Sequence, residues 1–157
     1  MMSARVSLFT LLMAGTVALA ASDYDARLVS AAKSGSTALA LELLDLKANP
    51  NAAEPDGTTA LAWAVRANDV DLAVKLIAAG ADVSAANRYG ITPLFLASEN
   101  GSPEMLELLL KSGADANATL SLKETALMTA ALTGNVDAAK VLLNHGAKVD
   151  AREEWHS

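Results

Sequence analysis

A spacing of 33 residues runs through this chain and leaves few folds open to it. Thr59-Ala60-Leu61 recurs as Thr92-Pro93-Leu94 and again as Thr125-Ala126-Leu127. Gly35, Asn68, Gly101 and Gly134 fall on the same period, as do Leu43-Leu44, Leu76-Ile77, Leu109-Leu110 and Leu142-Leu143. Gly80-Ala81-Asp82, Gly113-Ala114-Asp115 and Gly146-Ala147-Lys148 close successive units. A unit this short cannot bury an apolar face by itself, so such repeats must stack on one another. Ala and Leu supply 59 of the 157 residues and aromatic residues only 4%, which makes the stacked units helical and excludes a β-sandwich or barrel.

Helix punctuation follows the period. Thr59, Thr92 and Thr125 are placed to cap first helices with their hydroxyls. Pro93 and Pro103 follow Thr92 and Ser102 at first helical positions, where a missing N–H costs nothing. Gly80, Gly113 and Gly146 suit left-handed stops after second helices. The small pairs Ala31-Ala32, Ala64-Val65, Ala97-Ser98 and Ala130-Ala131 allow neighbouring helices to approach closely. First helices are expected near 25–33, 59–66, 92–99 and 125–132, and second helices near 37–46, 69–78, 103–111 and 136–144.

The unit Gly90 to Ala118, GITPLFLASENGSPEMLELLLKSGADANA, resembles the ankyrin repeat: Gly-x-Thr-Pro-Leu, a small pair, a Gly, a Leu-Leu pair, then Gly-Ala-Asp-x-Asn-Ala. The resemblance implies an all-α solenoid of about four helix-turn-helix units with protruding hairpin-like loops. Its units fall near 23–55, 56–88, 89–121 and 122–151 within a repeat domain over 21–151. Two positions depart from the family pattern. Lys47 replaces the Gly of later units, and Lys123 replaces Gly57 and Gly90. The second position favours positive φ, which costs a side-chain-bearing residue about 1 kcal/mol, so the loop 119–124 is expected to turn differently.

The two ends read differently from the middle. Residues 1–20 combine Arg5, the uncharged stretch Val6 to Leu19 and the small-x-small site Ala18-Leu19-Ala20, the layout of a secretory signal peptide cleaved after Ala20. The apolar stretch is short for a membrane span, so no membrane insertion is expected after cleavage. With that leader the chain is similar to ankyrin-repeat proteins of the bacterial exported type, periplasmic or secreted. Residues 152–157 continue the register, with Trp155 one period after Leu122. They read either as the start of a truncated fifth unit or as a tail whose Trp155 folds back over the fourth.

Little here could carry chemistry. With no Cys there are no disulfides and no thiolate ligands or nucleophiles. His145 and His156 have no neighbours at ligand spacing. Neither a phosphate-binding Gly-rich loop nor a Gly-x-Ser-x-Gly elbow occurs, so no catalytic, cofactor-binding or metal-binding residue is assigned. A formal charge of −6 without a Lys/Arg cluster argues against nucleic acid as a partner. Asn117-Ala118-Thr119 fits a glycosylation sequon, but Asn117 is also the Asn of the repeat pattern.

The resemblance implies a non-catalytic module that binds a protein partner through loop tips and the concave face of the first helices. Carried over position by position, the contact residues are Asp56, Thr58, Arg66, Arg88, Tyr89, Ile91, Glu99, Asn100, Ser121, Leu122, Glu124 and Leu132. Tyr89 and Leu122 are open to two roles, contact with a partner or stapling of adjacent loops. Two other functions stay open: a structural segment that self-associates weakly end to end, or the binding part of a longer enzyme or multidomain protein. The leader generates a direct expectation. Soluble protein exported from a bacterial host begins at Ala21; mass spectrometry finding Met1 intact on that soluble protein would contradict the signal assignment.

Overall fold

A computed structural model of the chain describes residues 21–120 and 122–149. The leader 1–20, Ser121 and the tail 150–157, with Trp155 and His156, lie outside the described residues. Among the described residues eight helices form a repeating series: α1 (21–33), α2 (Thr37–Asp45), α3 (Ala60–Arg66), α4 (Val70–Ala78), α5 (Pro93–Asn100), α6 (Pro103–Lys111), α7 (Ala126–Leu132) and α8 (Val136–Asn144). Among the described residues there is no strand, only isolated bridges such as Ala53 with Thr59 and Thr119 with Thr125 at the loop bases. None of these helices is long and apolar enough to cross a membrane.

The caps act where the sequence puts them. Thr59, Thr92 and Thr125 accept from the amides of Ala62, Phe95 and Met128 at 3.2–3.3 Å. Asp69, Ser102 and Asn135 do the same for second helices, accepting from Leu72, Met105 and Ala138. Each satisfies an amide that the first helical turn leaves without an intrahelical acceptor.

The helices lie in two rows, the first helices of successive units side by side and the second helices behind them. Neighbouring first helices meet more extensively than neighbouring second helices. The reason is residue size: Ala31, Ala64, Ala97 and Ala130 are buried on the first-helix row. The second helices are wedged by Leu43, Leu72, Leu76, Met105, Leu106, Leu109 and Leu142, all fully buried. One continuous apolar core results, running from Leu28 to Leu142.

Polar side chains bracket one unit to the next. Asn51 donates to the Gly80 carbonyl at 2.9 Å and accepts from the Asp82 amide at 2.7 Å. Asn117 repeats the device with Gly146 and Lys148, at 3.0 and 2.9 Å. The Asn117 amide is thus committed to the stack. Asn100 donates to the Val65 and Arg66 carbonyls, and Asn135 donates to the Gly101 carbonyl.

The two departures from the repeat pattern do not alter the backbone. Lys123 adopts φ 60°, beside 86° for Gly57 and 78° for Gly90. Its amide donates to Leu120 and the Leu120 amide to Glu124, both at 2.9 Å, just as Gly57 and Glu54 bond in the second unit. The expectation of a different turn at 119–124 is therefore corrected: closure of the loop outweighs a strain of about 1 kcal/mol. Lys47 likewise takes φ 66° and ends α2 as Gly80 ends α4.

Gly101 shows how tightly two units meet. Its φ is 62°, and a Cβ there would lie 1.9 Å from Asn135 Nδ2. Gly101→Ala should therefore break the Asn135 bracket, weaken the α8 cap and strain the backbone, at about 2 kcal/mol in all. Chemical denaturation reads this directly, and an unchanged midpoint would show that the bracket contributes nothing.

Candidate functional site

The loops of the second and third units run side by side. The Arg88 amide donates to the Asp56 carbonyl at 2.8 Å, and Asn87 Nδ2 lies 3.5 Å from the Thr58 hydroxyl. Gly57 makes the approach possible, since a Cβ there would meet Asn87 Cα at 3.2 Å. Between these loops and helices α3 and α5 lies a cleft of about 250 Å³. Asp56, Thr58, Trp63, Arg66, Tyr89 and Ile91 line it, over a floor that includes Ala62 and Leu96.

Trp63 defines one wall. Its indole N–H donates to Glu54 Oε2 at 3.0 Å, while Glu54 Oε1 accepts from Lys33 Nζ at 2.7 Å. Lys33 Nζ lies 4.9 Å and the Arg66 guanidinium carbon 5.6 Å from the ring centroid, both within cation–π range. The repeat register alone would put this side chain in the core between units, where its counterparts Leu96 and Thr129 are buried. It is instead only half-buried, packed partly on the core and partly open to the cleft.

Tyr89 forms the outer rim and is 57% exposed. Arg88 donates to its hydroxyl at 2.6 Å and lies over its ring at 4.9 Å. Ile91 is half-buried against the core, so it staples the loop, whereas the ring of Tyr89 stays available. Asp56 Oδ1 accepts from the Thr58 amide at 2.9 Å. That bond first, then the Thr58 hydroxyl and the charge of Arg88, holds the Asp56 carboxyl below the usual aspartate range.

Five of the twelve expected contact residues thus meet in one cleft: Asp56, Thr58, Arg66, Tyr89 and Ile91. Thr58 is buried, so it braces the loop more than it offers a surface. Arg88 joins through Tyr89. Glu99 and Asn100 are exposed beyond the cleft, and the Asn100 amide is spent on the second unit. Leu122 and Leu132 are exposed on the fourth unit, and Glu124 there accepts from the Thr129 hydroxyl at 3.2 Å. Ser121 lies outside the described residues. Trp63, Lys33 and Glu54 are the participants the sequence reading missed. The period held a signal for Lys33: it shares one position with Arg66, Glu99 and Leu132 in successive units, basic in the first two.

A family model described as ankyrin repeats, in three copies, matches residues 28–120 and 75–153. No curated protein matches the chain. Among the described residues no three of His, Asp and Glu gather closely enough to hold a metal ion.

The Asp56 carboxylate fixes the tip of the second loop, which predicts a titration. A depressed folded-state pKa means that its stabilising effect is present above the unfolded value of about 3.9 and is lost as pH falls through the folded one. The Thr58 amide proton should shift with a midpoint below 3.8, and Asp56→Asn should abolish that step. A midpoint at or above the ordinary value would contradict the arrangement.

Proposed function

The chain belongs to the ankyrin-repeat family, whose repeats are generally protein–protein interaction modules, and on that premise we propose that it is an exported, non-catalytic scaffold that binds a protein partner. The cleft between the second and third units carries this reading. It places a large aromatic wall, an exposed Tyr and an arginine on one rigid, partly apolar surface. Trp, Tyr and Arg dominate interface energetics because each combines a large contact area with polar donors. Display on packed helices limits the entropy lost on binding.

Export is supported by the leader: Arg5, the apolar run to Leu19 and the Ala18-Leu19-Ala20 site have the layout of a secretory signal, which favours a periplasmic or secreted mature protein. No membrane or nucleic-acid partner enters this reading. Tyr89→Ala tests it cleanly, because the ring is exposed and, among the described residues, bonds with its neighbour Arg88. The variant should bind captured partner about tenfold or more weakly, the loss expected of an interface anchor, with an unchanged far-UV helix signal and melting point. A large drop in melting point with partner binding intact would instead make Tyr89 a staple of the stack.

A further inference from the structure

Arg66 stands apart from the other described arginines. Arg27 pairs with Asp23 at 3.8 Å, and Arg88 bonds the Tyr89 hydroxyl and stabilises the Asp56 charge. Lys33, its counterpart one period earlier, is held by Glu54 at 2.7 Å. The Arg66 guanidinium sits exposed over Trp63 and has no carboxylate partner among the described residues. A guanidinium held near a ring by a cation–π contact, with no hydrogen-bonded acceptor, keeps its N–H donors free for a bidentate acceptor.

From this geometry we infer that the cleft recognises an extended protein segment carrying a side-chain carboxylate beside a bulky apolar side chain. Arg66 takes the carboxylate, and Trp63, Tyr89 and Ile91 take the apolar group. The inference rests on the protein-binding reading above and names the chemistry of its partner. Two observations favour a carboxylate over a cation. Trp63, the surface that would attract a ligand cation, already carries Lys33 and Arg66 within cation–π range. Lys33 is offset by Glu54 at 2.7 Å, so the uncompensated charge beside the ring is that of Arg66, which repels a cation and attracts an anion. Asp56, the carboxylate lining the cleft, is committed to the Thr58 amide and offset by Arg88. The platform is also prepared in advance, since the Glu54 bond fixes the indole against rotation before anything binds.

The test uses the chain from Ala21 onward and capped peptides of about nine residues, each with one Phe and, two positions away, Glu, Gln or Lys. Capping removes the terminal carboxylate, and an uncapped Gln peptide reports whether a chain terminus would serve instead. Calorimetry should show the Glu peptide binding about tenfold tighter than the Gln peptide, with Lys weakest, the difference between a charge-assisted and a neutral hydrogen-bonded pair. Arg66→Gln should erase the Glu preference while leaving the melting point unchanged, and Arg66→Lys should retain part of it. Equal binding of Glu and Gln peptides, a preference that survives Arg66→Gln, preferred binding of the uncapped terminus, or no binding of any capped peptide would each overturn the inference. The two readings fail separately. If Tyr89→Ala abolishes capture of a protein partner and Arg66→Gln does not, the carboxylate assignment is lost and the binding module stands.

Discussion

Each unit of this chain buries one apolar face against the unit before it and leaves another for the unit after it. Three positions of the repeat show the dependence. Leu61 and Leu94 are buried, whereas Leu127 on the fourth unit is half-exposed. Val65 and Ser98 are fully buried, whereas Ala131 is exposed. Val83 and Ala116 are 9% and 6% exposed, and Val149 is 80% exposed. At the first of these positions the residue is Leu throughout, and Val149 has the same side chain as the buried Val83; what changes is whether described helices lie on the other side. At about 25 cal/mol for each Å² taken from water, this shared burial is the main term holding a repeat in place. Its value is not fully optimised, for the Ser98 hydroxyl is buried between two units without a hydrogen-bond partner.

The cleft inherits its rigidity from the same stacking. It belongs to no single unit: Trp63 and Arg66 come from the second, Tyr89 and Ile91 from the third, and the Lys33 that braces Trp63 from the first. Backbone bonding of Arg88 to Asp56 and the Asn100 clamp on Val65 and Arg66 hold these parts in register. A surface assembled from three units in the middle of a stack can be specific only if those units do not move against one another. Function and stability are therefore coupled through one set of interfaces.

The period made the fold legible almost residue by residue. α6 and α8 span the expected residues, and the other second helices differ by a single residue at one end, because caps and apolar spacing agree locally. What the period concealed is how unlike units meet. Trp63 shares its position with Leu96 and Thr129, both buried, so the pattern assigns it to the core. Its counterpart in the first unit is Ser30, small and exposed, which leaves the ring uncovered where Lys33 reaches it. Lys123 was misjudged for the opposite reason: intrinsic strain was weighed without the loop hydrogen bonds that overcome it. Sequence spacing gives each side chain a place in its own unit. The chemistry of a cleft depends on which side chains two neighbouring units happen to juxtapose.

Native-state hydrogen exchange tests this account most directly, because it reads each helix separately. If coverage by neighbours sets local stability, amides in 60–66 and 70–78, flanked by described units on both sides, should exchange only through global unfolding. Amides in 136–144, beside the exposed face formed by Leu127, Met128, Leu143 and Val149, should exchange faster through local opening. Equal protection of α4 and α8, or local opening of α3, would contradict both the nearest-neighbour account of stability and the rigid display of the cleft.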